Sequence, residues 1–223
     1  MFLFRIYCLI CGEKTVSLIC EKCLNEIVVL SSSPDRICRK CSKPLKDYEI
    51  CCCDFCKSKN WVFENNFSIF SYNNVVIRRL TELFKFENSK KAGLILANLL
   101  EKEIKNFLSD KNFDIITCVP ESKISIKERG FAPVEFIIKR LGITYTKLLE
   151  RKSHIKKQSE LSLEEREEFV KSQFYLIKND TIKDKNILVI DDIFTSGNTL
   201  NYISKLLKEN GAKKIYTLTF FRD

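Results

Sequence analysis

From Trp61 onward, short apolar runs alternate with longer stretches whose apolar residues recur every three or four positions. FSIFSY (67–72) alternates with a strand's period of two. Residues 75–86 set Val75, Val76, Arg79, Leu80, Leu83 and Phe84 at helical spacing. Residues 90–108 carry a longer stripe of Leu94, Ala97, Leu100, Ile104 and Phe107 or Leu108. FDIITCVP (113–120) predicts a buried strand stopped by Pro120, which has no N–H to continue a ladder. A helix near 132–140, a strand near 143–149 and a charged helix or loop around 160–171 follow. KNILVIDD (185–192) is the clearest strand. After it a helix is expected from about 198 to 210, with Leu200, Ile203 and Leu207 along its stripe. Gly211 sits where a left-handed cap is wanted. KIYTLTFF (214–221) makes a last strand. Strands separated by helix-length segments predict an α/β fold, a mostly parallel sheet with helices on both faces. About 160 residues suffice for such a domain, which would bury roughly 70% of its unfolded surface.

The front of the chain has a different texture. Ten of the 11 cysteines precede residue 57 and fall into pairs: Cys8 and Cys11, Cys20 and Cys23, Cys38 and Cys41, Cys53 and Cys56. Cys51 and Cys52 are extras. No apolar run approaches the roughly 18 residues that span a bilayer. The opening MFLFRIYCLI is too short for a secretory signal. The expected address is the cytoplasm, where disulfides are rare, so the cysteines point to metal. A CxxC turn brings two thiolates within reach of one ion, and a structural zinc takes four in a tetrahedron. Two structural Zn2+ sites are expected. In the simplest pairing Cys8, Cys11, Cys20 and Cys23 hold one ion, and Cys38, Cys41, Cys53 and Cys56 the other. Spacing does not forbid an interleaved pairing, first knuckle with third, or the replacement of Cys53 by Cys51 or Cys52. So short a segment needs such staples to fold. The chain therefore divides into a Cys-rich region (1–60) and an α/β domain (61–223), with a linker near 57–66. Four cysteines per ion leave no open position for water, so these sites are structural.

Composition adds one point. The formal net charge is +9. Lys139 to Lys157 carries Lys139, Arg140, Lys147, Arg151, Lys152, Lys156 and Lys157 against Glu150 alone. Such a patch suits a nucleic-acid backbone or a phosphorylated ligand, with a merely solvated basic face as the plainer reading.

The most informative string runs Ile187-Leu188-Val189-Ile190-Asp191-Asp192-Ile193-Phe194-Thr195-Ser196-Gly197-Asn198-Thr199. Apolar residues bury a strand, and two carboxylates stand at its carboxyl end, where open α/β sheets bind ligands. Thr195, Ser196, Gly197, Asn198 and Thr199 then open a helix. Their hydroxyls and backbone N–H groups form an anion cradle at its positive end. Carboxylates beside a phosphate must engage something else, namely sugar hydroxyls or a hydrated Mg2+. Together these describe a site for a ribose 5-phosphate.

This string resembles the PRPP-binding motif of type I phosphoribosyltransferases. With the cysteine knuckles, and with Pro120, Arg129-Gly130-Phe131, Arg151, Gln158, Leu161 and Arg166, the chain is similar to the ComF family of competence-associated proteins. The resemblance implies a type I phosphoribosyltransferase-like, Rossmann-like core behind a double zinc ribbon, and a role in DNA uptake during natural transformation. It further implies PRPP binding with Mg2+, single-stranded DNA binding on a basic surface and contact with competence-machinery proteins. By the same analogy Asp191 and Asp192 hold the ribose hydroxyls and Thr195 to Thr199 the 5-phosphate. The turn Glu121, Ser122, Lys123 takes the place of the pyrophosphate loop, and Arg129 is a second anion ligand. Two departures stand out: Ala132-Pro133 replaces the family's Asn-Gln, and Thr195-Ser196-Gly197 replaces the usual pair of threonines. An active transferase of nucleotide salvage and a zinc-dependent adaptor with a vestigial pocket are the alternative functions.

Overall fold

The computed structural model describes residues 6–30, 36–152, 173–177 and 180–223. The front region holds a short ribbon, β1 (Ile6–Tyr7) with β2 (Lys14–Thr15), and two single-turn helices, α1 (Glu21–Asn25) and α2 (Asp54–Lys57). Then come β3 (Asn66–Ser71), α3 (Val75–Lys85), α4 (Lys90–Ser109) and β4 (Ile115–Cys118). They are followed by α5 (Lys123–Arg129), α6 (Pro133–Arg140), β5 (Leu149–Arg151) and β6 (Phe174–Leu176). The chain closes with β7 (Asn186–Phe194), α7 (Asn198–Glu209) and β8 (Lys214–Arg222).

The central sheet has the order β3-β8-β7-β4, and every pairing in it is parallel. The two long strands β7 and β8, buried along most of their length, take the middle, as strands covered on both faces do. On one face α3, α4 and α6 bury Leu80, Phe84, Leu96, Leu100, Ile104 and Ile138 against Leu188, Ile190 and Leu218. On the other, α7 lays Leu200, Ile203 and Leu207 on Ile187, Val189 and Ile215. Side chains begin α3 and α4: Asn74 accepts from the N–H groups of Val76 and Ile77, and Ser89 from that of Ala92. Gly211 follows α7 with φ +95°, the left-handed geometry expected of it.

Three readings shift in detail. Leu94 is exposed, and the buried stripe of α4 runs through Ala92, Leu96, Ala97, Leu100, Ile104 and Phe107. The strand expected at 143–149 forms only over Leu149–Arg151, pairs antiparallel with Phe174–Leu176, and lies outside the central sheet. Residues 123–129 form a helix that buries none of its residues, so no apolar periodicity announces it. The segment 160–171 lies outside the described residues.

The Cys-rich region is bonded along the β3 edge. Ser42 Oγ donates to the Asn66 carbonyl at 2.9 Å and accepts from the Ser68 N–H at 2.8 Å. Asn74 Nδ2 donates to the Glu26 carbonyl at 2.7 Å. Lys40 Nζ reaches the carbonyls of Phe63 and Glu64 at 2.8 and 2.5 Å. The stretch 57–66 is likewise held, with the Glu64 N–H donating to the Ile215 carbonyl at 2.7 Å and Phe63 fully buried.

Candidate functional site

At the carboxyl end of β7 a cavity of about 330 Å³ opens between β4, β7 and α6. Asp191, Asp192 and Thr199 form its floor, with Lys85, Glu121, Arg129 and Arg151 around them. The strand brings both acids here because β7 keeps its ladder past Ile190, pairing Asp191 with Thr219 and Ile193 with Phe221.

Two adjacent carboxylates dominate the electrostatics of the cavity. Asp191 is pushed up to about 8, first by burial and then by the neighbouring Asp192 carboxylate. The Asp192 N–H, donating to Asp191 Oδ1 at 2.9 Å, and the Lys85 ammonium work in the opposite direction. Lys85 forms an ion pair with Asp192, both largely buried. Neighbouring carboxylates that repel one another in a half-buried pocket suit a divalent cation or a set of sugar hydroxyls.

Behind the acids, α7 begins at Gly197, whose φ is +73°. A Cβ there would lie 2.5 Å from the Phe194 ring and 2.8 Å from the Trp61 ring. Only glycine fits, and it supplies no side-chain cap to the helix, whose first N–H, that of Asn198, donates to Ser196 Oγ at 3.4 Å. Thr195, Ser196 and Asn198 are exposed and outside the lining, while Thr199 lines the cavity.

The turn after Pro120 divides. Glu121 lines the cavity, whereas Ser122 caps α5, its Oγ accepting from the Ser125 N–H at 3.0 Å, and Lys123 is exposed outside the lining. Arg129 is committed to its own chain: Nε donates to the Lys85 carbonyl at 2.7 Å and NH1 to Glu121 at 3.2 Å. Arg151 lies 3.9 Å from Glu121, donates from Nε to Gln173 at 3.0 Å and stacks over Phe174. Sequence reasoning did not assign Lys85, Arg151 and Gln173 to the site. Only Arg151 left a signal, as part of the family pattern. Ala132 and Pro133 also line the cavity, and Pro133 begins α6.

The structure gathers the cysteines in the sequential grouping. In each quartet, Cys8, Cys11, Cys20, Cys23 and Cys38, Cys41, Cys53, Cys56, the sulfurs all lie within 4.8 Å of one another. Cys51 and Cys52 belong to neither. Backbone N–H groups prepare the first: burial opposes ionisation of Cys8, yet donors from Cys11, Cys20 and Ile10 bring it down to about 6. In the second, Cys41 and Cys56 hydrogen-bond to Cys38 and hold its thiol far below the ordinary range. Cys56 is correspondingly raised, by its contacts with Cys38 and Cys41 and by burial. Four crowded sulfurs cannot all ionise alone, and a soft divalent cation removes that conflict, so both groups fit a metal such as zinc.

Within the basic stretch, Lys139 pairs with Glu135 at 3.1 Å and Lys147 with Glu150 at 3.9 Å. His154, Lys156 and Lys157 lie outside the described residues. A second positive surface sits at the amino ends of the strands. There a cavity of about 410 Å³ is lined by Lys111, Lys213, Lys214, Asn65, Asn186, Phe113 and Tyr216. It shares Asn65 and Lys111 with a neighbouring furrow of about 270 Å³ that reaches Arg39, Phe67 and Phe107. Asp110 is the single acid lining either. The Lys111 ammonium lies 4.6 Å above the Phe107 ring and 5.5 Å above Tyr216. Among the described residues no helix is long and apolar enough to cross a membrane.

Comparison with known proteins agrees with this geometry. The phosphoribosyl transferase domain family matches residues 85–223. "Competence protein ComFC" of Streptococcus pneumoniae is 28% identical over 96% of this chain and 99% of that protein. The protein of the same name from Bacillus subtilis is 22% identical over 92% of this chain and 84% of its own. A Staphylococcus aureus "Amidophosphoribosyltransferase" is 31% identical over 48% of this chain and 20% of that protein. A parallel sheet ending in paired acids and a glycine-opened helix, behind two cysteine quartets, thus identifies the chain as a member of the phosphoribosyl transferase domain family and, within it, of the ComF family.

Proposed function

We propose that this ComF protein binds PRPP at the carboxyl end of β7 and serves DNA uptake. The observation that carries the reading is that Asp191 and Asp192, on β7, share one cavity with Thr199, the second residue of the helix that Gly197 opens. Thr195 to Thr199 receive the 5-phosphate through N–H groups and hydroxyls. Asp191 and Asp192 accept from the ribose hydroxyls, and with a ligand seated Lys85 shares its charge between Asp192 and the phosphates. Magnesium, when bound, neutralises pyrophosphate charge beside the acids. Arg129 keeps Glu121 and the end of α3 in place, so it shapes the wall. A zinc ion in each quartet completes the Cys-rich region. A crystal soaked with PRPP and Mg2+ tests the reading. Density for a ribose between Asp191 and Thr199 is expected, and a ligand bound elsewhere, or none at saturation, overturns it.

The furrow at the amino ends favours a second activity of the same protein, single-stranded DNA binding. Lysines at its edges and aromatic rings between them are the combination that tracks a backbone and stacks bases. Replacing Lys111, Lys213 and Lys214 with alanine is expected to weaken oligonucleotide binding and lower its salt slope by about 2. The same change at Lys152, Lys156 and Lys157 is expected to leave binding intact. The opposite pattern moves the DNA to the basic stretch.

A further inference from the structure

The protein has a single tryptophan, and its ring packs against the phosphate loop. Trp61 follows the second cysteine quartet by five residues, and its indole N–H donates to the Cys56 carbonyl at 3.0 Å. One side of the ring therefore belongs to the cysteine centre. The other lies against Gly197, so closely that no side chain fits between them, and 6.0 Å from the Phe194 ring. Phe63, 5.1 Å away and fully buried, backs the ring.

Polar contacts fasten the same seam. Asn201, on the first turn of α7, accepts from the Val62 N–H at 2.7 Å and donates to the Asn60 carbonyl at 3.0 Å. Lys59 Nζ reaches Asn198 Oδ1 at 3.3 Å. Lys40, between two cysteines of the quartet, grips the carbonyls of Phe63 and Glu64. Backbone at 59–64 is thus fixed at one end by the cysteine centre and at the other by the start of α7.

We propose that Trp61 is a positioning residue through which the second cysteine centre sets the geometry of the phosphate loop, so that metal in Cys38, Cys41, Cys53 and Cys56 and phosphate in the loop stabilise each other. This rests on the reading of the loop as a PRPP site. The physical ground is reciprocity: if an ordered centre favours the binding-competent loop, a ligand on the loop must favour the ordered centre to the same degree. The first quartet packs on the opposite side, with Ile19, Phe70 and Val76, and takes no part.

The test uses the full, zinc-loaded chain and PRPP with Mg2+ in a calorimeter. Trp61→Ala is expected to weaken PRPP binding by roughly tenfold while keeping two zinc ions per chain, and Trp61→Phe to restore most of the affinity. Asn201→Ala, which leaves every cysteine and cavity residue in place, is expected to weaken it in the same direction should Trp61→Ala fold poorly. In the wild type, PRPP is expected to change the emission of the single tryptophan and to slow zinc loss to a chelator. Retention of two zinc ions and of the wild-type melting temperature in Trp61→Ala separates lost positioning from a folding defect. Wild-type affinity in both Trp61→Ala and Asn201→Ala, or zinc release indifferent to PRPP, overturns the coupling and leaves the site assignment standing. Failure of the wild type to bind PRPP overturns both.

Discussion

At the residue scale, two positions are constrained by effects large enough to measure. Gly197 combines φ +73° with a Cβ position inside the van der Waals envelopes of Phe194 and Trp61. A methyl group there meets both backbone strain and overpacking, each costing about 1–3 kcal/mol. Gly197→Ala is expected to lose about 2–4 kcal/mol in denaturant unfolding, whereas Gly142→Ala, at φ +68° with open space around it, is expected to lose less. Asp191 is the second position. Its carboxyl, held up near 8, keeps its proton in the folded state where the unfolded chain has lost it. The stabilising contribution of that proton is complete below the ordinary carboxylate range and fades as pH rises through about 8. The difference in melting temperature between wild type and Asp191→Asn is therefore expected to move in favour of the variant between pH 4 and pH 8. A difference that stays constant with pH would remove the raised carboxyl of Asp191 from the account.

At the scale of elements, what could be read from sequence follows from how local the cause is. The strand at 186–194 and the helix at 198–209 were legible because each buries a contiguous pattern of its own residues, Ile187 to Ile190 in one and Leu200, Ile203 and Leu207 in the other. The helix at 123–129 was not, because it buries nothing and is held by its Ser122 cap and by Arg129. The paired acids and the glycine loop were legible for the same local reason. The opposite wall was not: Lys85 ends α3, Arg151 and Gln173 come from the β5–β6 ribbon, and only the fold brings them to Asp192 and Glu121. The quartets were half legible, since spacing proposes four CxxC pairs and folding alone selects their partners. The role of Trp61 left no trace in periodicity, because its significance lies in a contact with Gly197 more than a hundred residues away.

At the scale of the whole molecule, the cysteine centres are built into the cores they border. Cys38, Cys41, Cys53 and Cys56 share a buried cluster with Phe63, Ile187, Val189 and Leu207, and Cys8 and Cys23 share the other with Phe70 and Val76. Structural zinc stabilises only the folded state. Its removal is thus expected to lower the melting of the chain as a whole, with near-ultraviolet signals of the front region and the sheet lost together. Loss confined to the front, with the sheet melting unchanged, would show that the clusters are independent.

The proposed reading of ligand, loop and metal takes the paired acids as its starting point. Titration calorimetry of the zinc-loaded protein with PRPP in the presence of Mg2+ puts that starting point to the most direct test. Saturable binding at one site per chain is expected, lost by a hundredfold or more when Asp191 and Asp192 are both changed to asparagine, as the removal of two charge-assisted contacts requires. Equal affinity in the double variant, or no heat in the wild type, would contradict the assignment of the cavity.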